Sequence, residues 1–345
     1  MNIYDDLEKY RKEHKIEPFR LKKMKLAFFQ KVLSDDELLN LFPEIADLKL
    51  HTLQIHSTHV SKDESIKIIF KTQDGLLIES VILRITQGPS KRISICVSCQ
   101  VGCAMACEFC STGKLGLKRN LSIFEICDQI QLSNQFLKQI GDERSIRNVV
   151  FMGQGEPTNN FKNVTGAIDL IIDKHRFNIA AKHITVSTVG IAKIMAKFAE
   201  YEPQIYYALS LHSARQEIRE TIMPTAKANT VESLKAAIKK LDRVFMIEYL
   251  MLSGLTDTEE DVAALRSFCE GLKVHLNLIP YNDTEGVDFK GSSMEDIAAF
   301  REKLLPFVKA VTIRKSLGAD VWGACGNLML KTLKKSLTEM EDIVN

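Results

Sequence analysis

From residue 93 onward, short apolar runs alternate with longer amphipathic stretches. The runs ISICVS (93–98), NVVFMG (148–153), HITVST (183–188), IYYALSL (205–211), FMIEYLM (245–251), HLNLIP (275–280) and AVTIRK (310–315) read as strands. Between them lie helical patterns. The first places Ile123, Ile126, Ile130 and Leu137 on one face and opens with a Ser122-x-x-Glu125 capping box. Strands alternating with helices predict parallel βα units. Several strands end in Gly, Ser, His, Pro or Asn, residues suited to a site at the C-terminal edge of such a sheet. The expected fold is α/β, a partial (β/α) barrel.

The first ninety residues follow another pattern. Residues 11–25 (RKEHKIEPFRLKKMK) carry seven Lys/Arg and two Glu, followed by helical LAFFQKVL. Two strand-like runs, SIKIIFKT and LLIESVILRI, flank Gln73-Asp74-Gly75, a hairpin signal. This divides the chain into a helical module over 1–60, a linking hairpin over 61–92, a barrel core over 93–330 and a helical tail over 331–345. No internal repeat or low-complexity linker interrupts it.

Composition narrows the class. With 345 residues, 45% of them hydrophobic and 26% charged, the chain has an ordinary globular make-up. Its 46 Lys+Arg against 44 Asp+Glu announce no nucleic-acid partner through overall charge. No apolar run approaches the roughly 18 residues of a membrane helix, and MNIYDDLEKY lacks the apolar core of a signal peptide. The expectation is a cytoplasmic protein without membrane contact, in which clustered cysteines serve as metal ligands or catalysts.

Five of the eight cysteines fall within fifteen residues: Cys96, Cys99, Cys103, Cys107 and Cys110. Cys103-x3-Cys107-x2-Cys110 lets one loop wrap three thiolates around an inorganic centre, which suits an iron–sulfur cluster with one iron open. A structural zinc site needs four closed ligands; Cys99 could be the fourth, in a zinc-stapled RNA-binding protein without catalysis. Cys127 and Cys269, on apolar helical faces, read as small core residues.

CVSCQVGCAMACEFCSTGKLGLKRNL (96–121) closely resembles the RlmN/Cfr family of radical S-adenosylmethionine (SAM) RNA methyltransferases. The likeness continues through FMGQGEP (151–157), ITVSTVG (184–190), SLHS (210–213), EIRETIMP (217–224), IEYLML (247–252), NLIPYN (277–282) and GACGNL (323–328), and reaches PFR (18–20) and IESV (78–81). It implies a partial (β/α)6 radical-SAM barrel, with Cys103, Cys107 and Cys110 holding one 4Fe-4S cluster. Gly155, Glu156, Ser187, Ser210, Leu211, His212 and Asn282 would line the SAM pocket.

The resemblance also implies a mechanism. Adenine C2 is electron-poor and does not attack the methyl of SAM directly. Cys325 would accept a methyl group from one SAM, and an adenosyl radical from a second would remove a hydrogen from that S-methyl. The carbon radical would add to adenine, Glu79 would accept the ring proton, and Cys96 would resolve the adduct through a transient disulfide. A solvent-facing hairpin glutamate is the plainer expectation for Glu79. The implied target is C2 of adenosine 2503 in 23S rRNA, with adenosine 37 of transfer RNA as a further substrate; the nearest rival is methylation at C8. A monomer fed by flavodoxin or ferredoxin is expected, with RNA contacts in the basic N-terminal module. The chain departs from the family pattern at Cys99 (usually Ser), Gln154 (usually Met), TAKANT (225–230) and Trp322-Gly323-Ala324-Cys325-Gly326-Asn327.

Overall fold

The computed structural model describes residues 1–85, 92–202, 204–241, 243–282, 287–324 and 326–328. Three helices come first: α1 (Glu8–Glu13), α2 (Pro18–Phe29) and α3 (Asp35–Leu41). An antiparallel meander follows, β1 (Leu53–Val60), β2 (Ile66–Thr72) and β3 (Leu77–Ile85), then β4 (Arg92–Cys96). Next come a small ribbon of β5 (Gln100–Gly102) and β6 (Leu117–Asn120), with α4 (Ser111–Lys114) between them, and helix α5 (Ile123–Gln139). The alternation then runs β7 (Ile146–Phe151), α6 (Phe161–Ile172), β8 (Ile184–Thr188), α7 (Ala192–Tyr201) and β9 (Tyr206–Ser210). It ends with α8 (Gln216–Ile222), α9 (Val231–Leu241), β10 (Phe245–Met251), α10 (Glu259–Cys269), β11 (Val274–Pro280), α11 (Met294–Leu304) and β12 (Val311–Ile313).

All seven runs expected as barrel strands form strands. β4, β7, β8, β9, β10, β11 and β12 neighbour one another in that order, every pair parallel. Six helical crossovers join them, so the (β/α)6 core carries β12 as a seventh strand. β12 and β1 are the edges of the ten-stranded sheet, and the barrel is therefore open. The capping box is present on α5: Glu125 N–H donates to Ser122 Oγ, and Ser122 N–H donates to Glu125 Oε2.

Residues 53–60, expected within the helical module, instead form β1 and pair antiparallel with β2 along its length. The hairpin expected over 61–92 is thus the latter part of a three-stranded meander. β3 joins it to β4 antiparallel, with Val81 opposite Cys96. The alternation in LQIHSTHV is diluted by exposed polar residues at an edge, so one apolar face does not stand out in the sequence.

The N-terminal helices share one continuous core with the barrel, from Ile3 through Phe28 and Ile130 to Val311. A buried carboxylate fastens them to α5. Asp128 accepts hydrogen bonds from Tyr4 Oη (2.8 Å), Leu53 N (2.9 Å) and the His51 ring at Nδ1 (2.7 Å). His51 also meets Asp35 (3.0 Å) through Nε2. Burial opposes a charged His51 ring, but the bonds to Asp128 and Asp35 outweigh it and raise its pKa from 6.5 to about 9. Because the folded value is raised, this contribution to stability is complete below pH 6.5 and is lost as pH rises through about 9. Thermal melts should therefore show a smaller loss of stability between pH 7 and 10 in His51→Gln than in the parent. Asp128→Ala, which strands these donors, should cost about 3 kcal/mol or more at pH 7.

Candidate functional site

The cysteine loop grows out of the β5–β6 ribbon, in which Gln100 pairs with Asn120 and Val101 with Arg119. The ribbon pinches shut at Gly102, where φ is +76° and a Cβ would lie 1.9 Å from Gly116 O. Only glycine fits there. Ala106 takes a left-handed φ of 50°, and Gly113 packs so that a Cβ would meet Cys107 N at 3.0 Å. The chain thereby coils on itself and turns Cys103, Cys107 and Cys110 into one cavity at the C-terminal edge of the sheet.

These thiols are a demanding arrangement without a cation. Burial pushes Cys103 up to about 12 and Cys107 well above its ordinary value, so the thiolates need an electropositive partner to form. Among the described residues, no three Cys, His, Asp or Glu side chains converge on one ion position. A zinc staple needs four that do. A cubane cluster binds each thiolate to a separate iron, and this three-thiol loop fits that donor set, leaving the fourth iron to a ligand. Cys99 is not a fourth ligand: it lies in the apolar core and does not line the cavity.

The opposite walls come from successive strand ends. Gly153 N–H donates to Val97 O, and a Cβ on Gly153 would lie 2.7 Å from that oxygen. Gly155 has φ +102°, and its Cβ would strike Gln100 at 2.6 Å. Gly153, Gly155, Glu156, Ser187, Ser210, His212 and Asn282 all line the cavity. Leu211 does not; it is fully buried in the core, while its carbonyl accepts from Arg219 Nε (3.1 Å). The Glu156 carboxylate is already engaged: Oε1 accepts from Thr158 N (3.0 Å) and Oγ1 (2.6 Å), and Oε2 from Val189 N (2.9 Å). It clamps the β7 and β8 ends together while lining the cavity.

His212 has a left-handed φ of 58°, and its ring meets Phe109 edge-on at 4.8 Å. Burial and the Arg219 charge lower its pKa to about 3, so the ring is neutral; its Nδ1 has no protein partner among the described residues. Arg219, unremarked in the sequence, is fully buried and donates to Leu211 O, Asn229 O and Val189 O. It locks the loops after β8 and β9 around the cavity. Glu248 and Tyr281, also overlooked, line the cavity with Glu248 Oε1 and Tyr281 Oη lacking a protein partner among the described residues. The available signal was an acidic residue inside the apolar run FMIEYLM.

A second cavity adjoins the first, and Met152, Ile279, Asn282 and Arg314 line both. Cys96 lines the second cavity, buried and packed with Val81 and Leu328. Glu79 is no solvent-facing residue: it is fully buried, 3.4 Å from the buried Lys67 ammonium. It lines neither cavity among the described residues. Cys325 and the helical tail expected over 331–345 lie outside the described residues; of the neighbours of Cys325, Ala324 lines the second cavity and Gly326 the first.

These placements separate ligand cysteines from core cysteines. After anaerobic reconstitution, single Ala substitutions at Cys103, Cys107 or Cys110 should each abolish bound iron and its visible absorbance. Cys99→Ser should keep the full iron content while losing about 1–3 kcal/mol of stability, since it buries a hydroxyl in the core.

The Radical SAM superfamily profile matches residues 97–269. A probable RNA methyltransferase of Rhodopirellula baltica is 40% identical over 330 residues, 94% of this chain and 86% of that protein. A probable dual-specificity RNA methyltransferase RlmN of Clostridium tetani is 36% identical, over 97% of both chains. The crystal structure of a radical SAM methyltransferase from Sphaerobacter thermophilus superposes with a TM-score of 0.87 at 31% identity, covering 95% of this chain and 98% of that one. The family implies a 4Fe-4S cluster and SAM, which the three-thiol cavity suits. No described helix is long and apolar enough to cross a membrane. This chain belongs to the RlmN-type radical-SAM RNA methyltransferases.

Proposed function

We propose that this chain methylates C2 of adenosine 2503 in 23S rRNA, with adenosine 37 of transfer RNA as a second substrate, through a methylated Cys325. The observation that carries this reading is Cys96, a buried cysteine lining a cavity that shares Met152, Ile279, Asn282 and Arg314 with the three-thiol cavity. A methyltransferase acting by direct displacement has no use for it.

Cys103, Cys107 and Cys110 would hold the cluster, and the β7 to β11 ends would hold SAM. When bound, these groups would supply a transferable methyl group and the one-electron chemistry that removes a hydrogen atom from it. The protein's own residues do the rest. Cys325 takes the methyl by polar displacement and carries it, as a carbon-centred radical, to adenine C2. Glu79 receives the ring proton. Val81 faces Cys96 across β3–β4, and residues 79 and 81 share a strand face, so Glu79 and Cys96 lie on the same side of the sheet. The adduct would give up its odd electron to the bound cluster. The Cys96 thiolate would then form an S–S bond with Cys325 as the S–C bond breaks, and the released carbon would take a proton to become the methyl group. This leaves a disulfide for a two-electron reductant to reopen.

RNA docking belongs to the N-terminal face. Lys12, Lys15, Lys22 and Lys23 are exposed on it, and Phe19, 66% exposed, lies under the Lys23 ammonium at 4.4 Å. Local cations neutralise phosphates whatever the net charge. The enzyme acts as a monomer, with flavodoxin or ferredoxin supplying electrons.

Mass spectrometry of ribosomal and transfer RNA from cells with and without the gene should find 2-methyladenosine only where the gene is present. Finding 8-methyladenosine alone would overturn the C2 assignment. Cys96→Ala should accumulate a covalent RNA adduct at Cys325, seen as a protein band that shifts on ribonuclease treatment. Normal turnover by Cys96→Ala would refute the resolving role.

A further inference from the structure

In the parallel register, Ser210 of β9, Glu248 of β10 and Asn277 of β11 stand side by side, with Thr312 of β12 next in the row. Directly opposed residues face the same way, so these form one polar row running from the buried Glu248 through the half-buried Asn277 to the exposed Thr312 at the sheet edge. Glu248 is its charged member and is only 3% exposed. One of its oxygens is held: Oε2 accepts from Asn277 Nδ2 at 2.9 Å, and Arg314 Nη1 stands 3.7 Å away. Asn277 is itself oriented by Thr312 Oγ1, which donates to its Oδ1 at 3.0 Å. The other oxygen, Oε1, has no partner among the described residues, although Glu248 lines the three-thiol cavity. A buried carboxylate can only accept hydrogen bonds, and leaving one oxygen without a donor is costly.

We propose that Glu248 is a ligand-binding carboxylate whose Oε1 accepts a hydrogen bond from a ribose hydroxyl of SAM. The assignment rests on SAM being the cofactor and is independent of which RNA is modified. SAM offers three kinds of donor: its ammonium, its ribose hydroxyls and its exocyclic amine. The ammonium belongs with the amino-acid end at the open iron, beside the thiol loop that follows β4; Glu248 is four strands away in the sheet. The adenine ring needs apolar faces, and the paired Leu250 and Ile279 provide them two residues nearer the strand ends. The ribose lies between these ends of the molecule. Ser187 Oγ and Ser210 Oγ, 3.3 Å apart, adjoin Glu248 and can both give and take hydrogen bonds with a diol.

Glu248→Gln tests this with little change of shape. Asn277 Nδ2 requires an acceptor at the Oε2 position, so the new amide turns its NH2 toward the ligand; the hydroxyl must then reverse and accept, and a charge-assisted bond is exchanged for a weaker neutral one. Equilibrium binding to the anaerobically reconstituted protein would use SAM, S-adenosylhomocysteine, and the 2′-deoxy and 3′-deoxy forms of SAM. The parent should bind one deoxy form about 10- to 100-fold more weakly than SAM. Glu248→Gln should bind SAM and S-adenosylhomocysteine alike about 10-fold more weakly, and should distinguish that deoxy form less than the parent does. Unchanged SAM affinity in the variant overturns the proposal. So does a loss confined to SAM, which would mark an interaction with the sulfonium charge, or a loss that leaves deoxy discrimination intact. Iron content and circular dichroism establish that the variant is folded; should Glu248→Gln fail to fold, Glu248→Asp is read by the same criteria.

Discussion

The site depends on how residues 97–100 satisfy their backbone after β4 ends. They run buried from the sheet toward the cysteine loop, so each N–H and C=O needs a partner inside the protein. Val97 N–H donates to Val150 O, and Val97 O accepts from Gly153 N. Ser98 is held at both ends by the Gln129 amide, which accepts its N–H at 2.8 Å and donates to its carbonyl at 2.9 Å. Cys99 N and Gln100 N both reach Gln154 O, and Cys99 O accepts from Asn160 Nδ2 and Leu121 N. These bonds fuse the entrance of the thiol loop to the turn after β7. That fusion is why Gly153 and Gly155 admit no side chain.

The same economy governs the cavity. Cys107, the Glu248 carboxylate and the neutral His212 ring are withdrawn from water, and Glu248 Oε1 and His212 Nδ1 lack a protein partner among the described residues. Other buried polar groups are largely satisfied internally: Arg219 donates to three carbonyls, and Glu156 accepts from Thr158 and Val189. The division between saturated and unsaturated buried groups marks which residues build the site and which are available to bind.

Much of this was legible in the chain. Strand positions followed from apolar runs that a parallel sheet buries on both faces, and the α5 start from its capping box. The thiol loop followed from spacing. β1 was not legible, because an edge strand exposes polar residues on both faces. Leu211 was misassigned to the pocket because adjacent strand-end residues alternate direction; Ser210 and His212 face the cavity while Leu211 faces the core. Glu248 was overlooked because its polar row exists only across four strands.

The sequence by itself determined the element order, the three-cysteine loop and the family, since each rests on local spacing or on an ordered series of short motifs. Tertiary structure alone decided that Cys99 is a core residue and that Glu79 is buried against Lys67. It also decided that Cys96 lines a cavity sharing four wall residues with the three-thiol cavity. Those outcomes depend on register between strands far apart in the chain. Burial and hydrogen-bond satisfaction arise only when such segments meet.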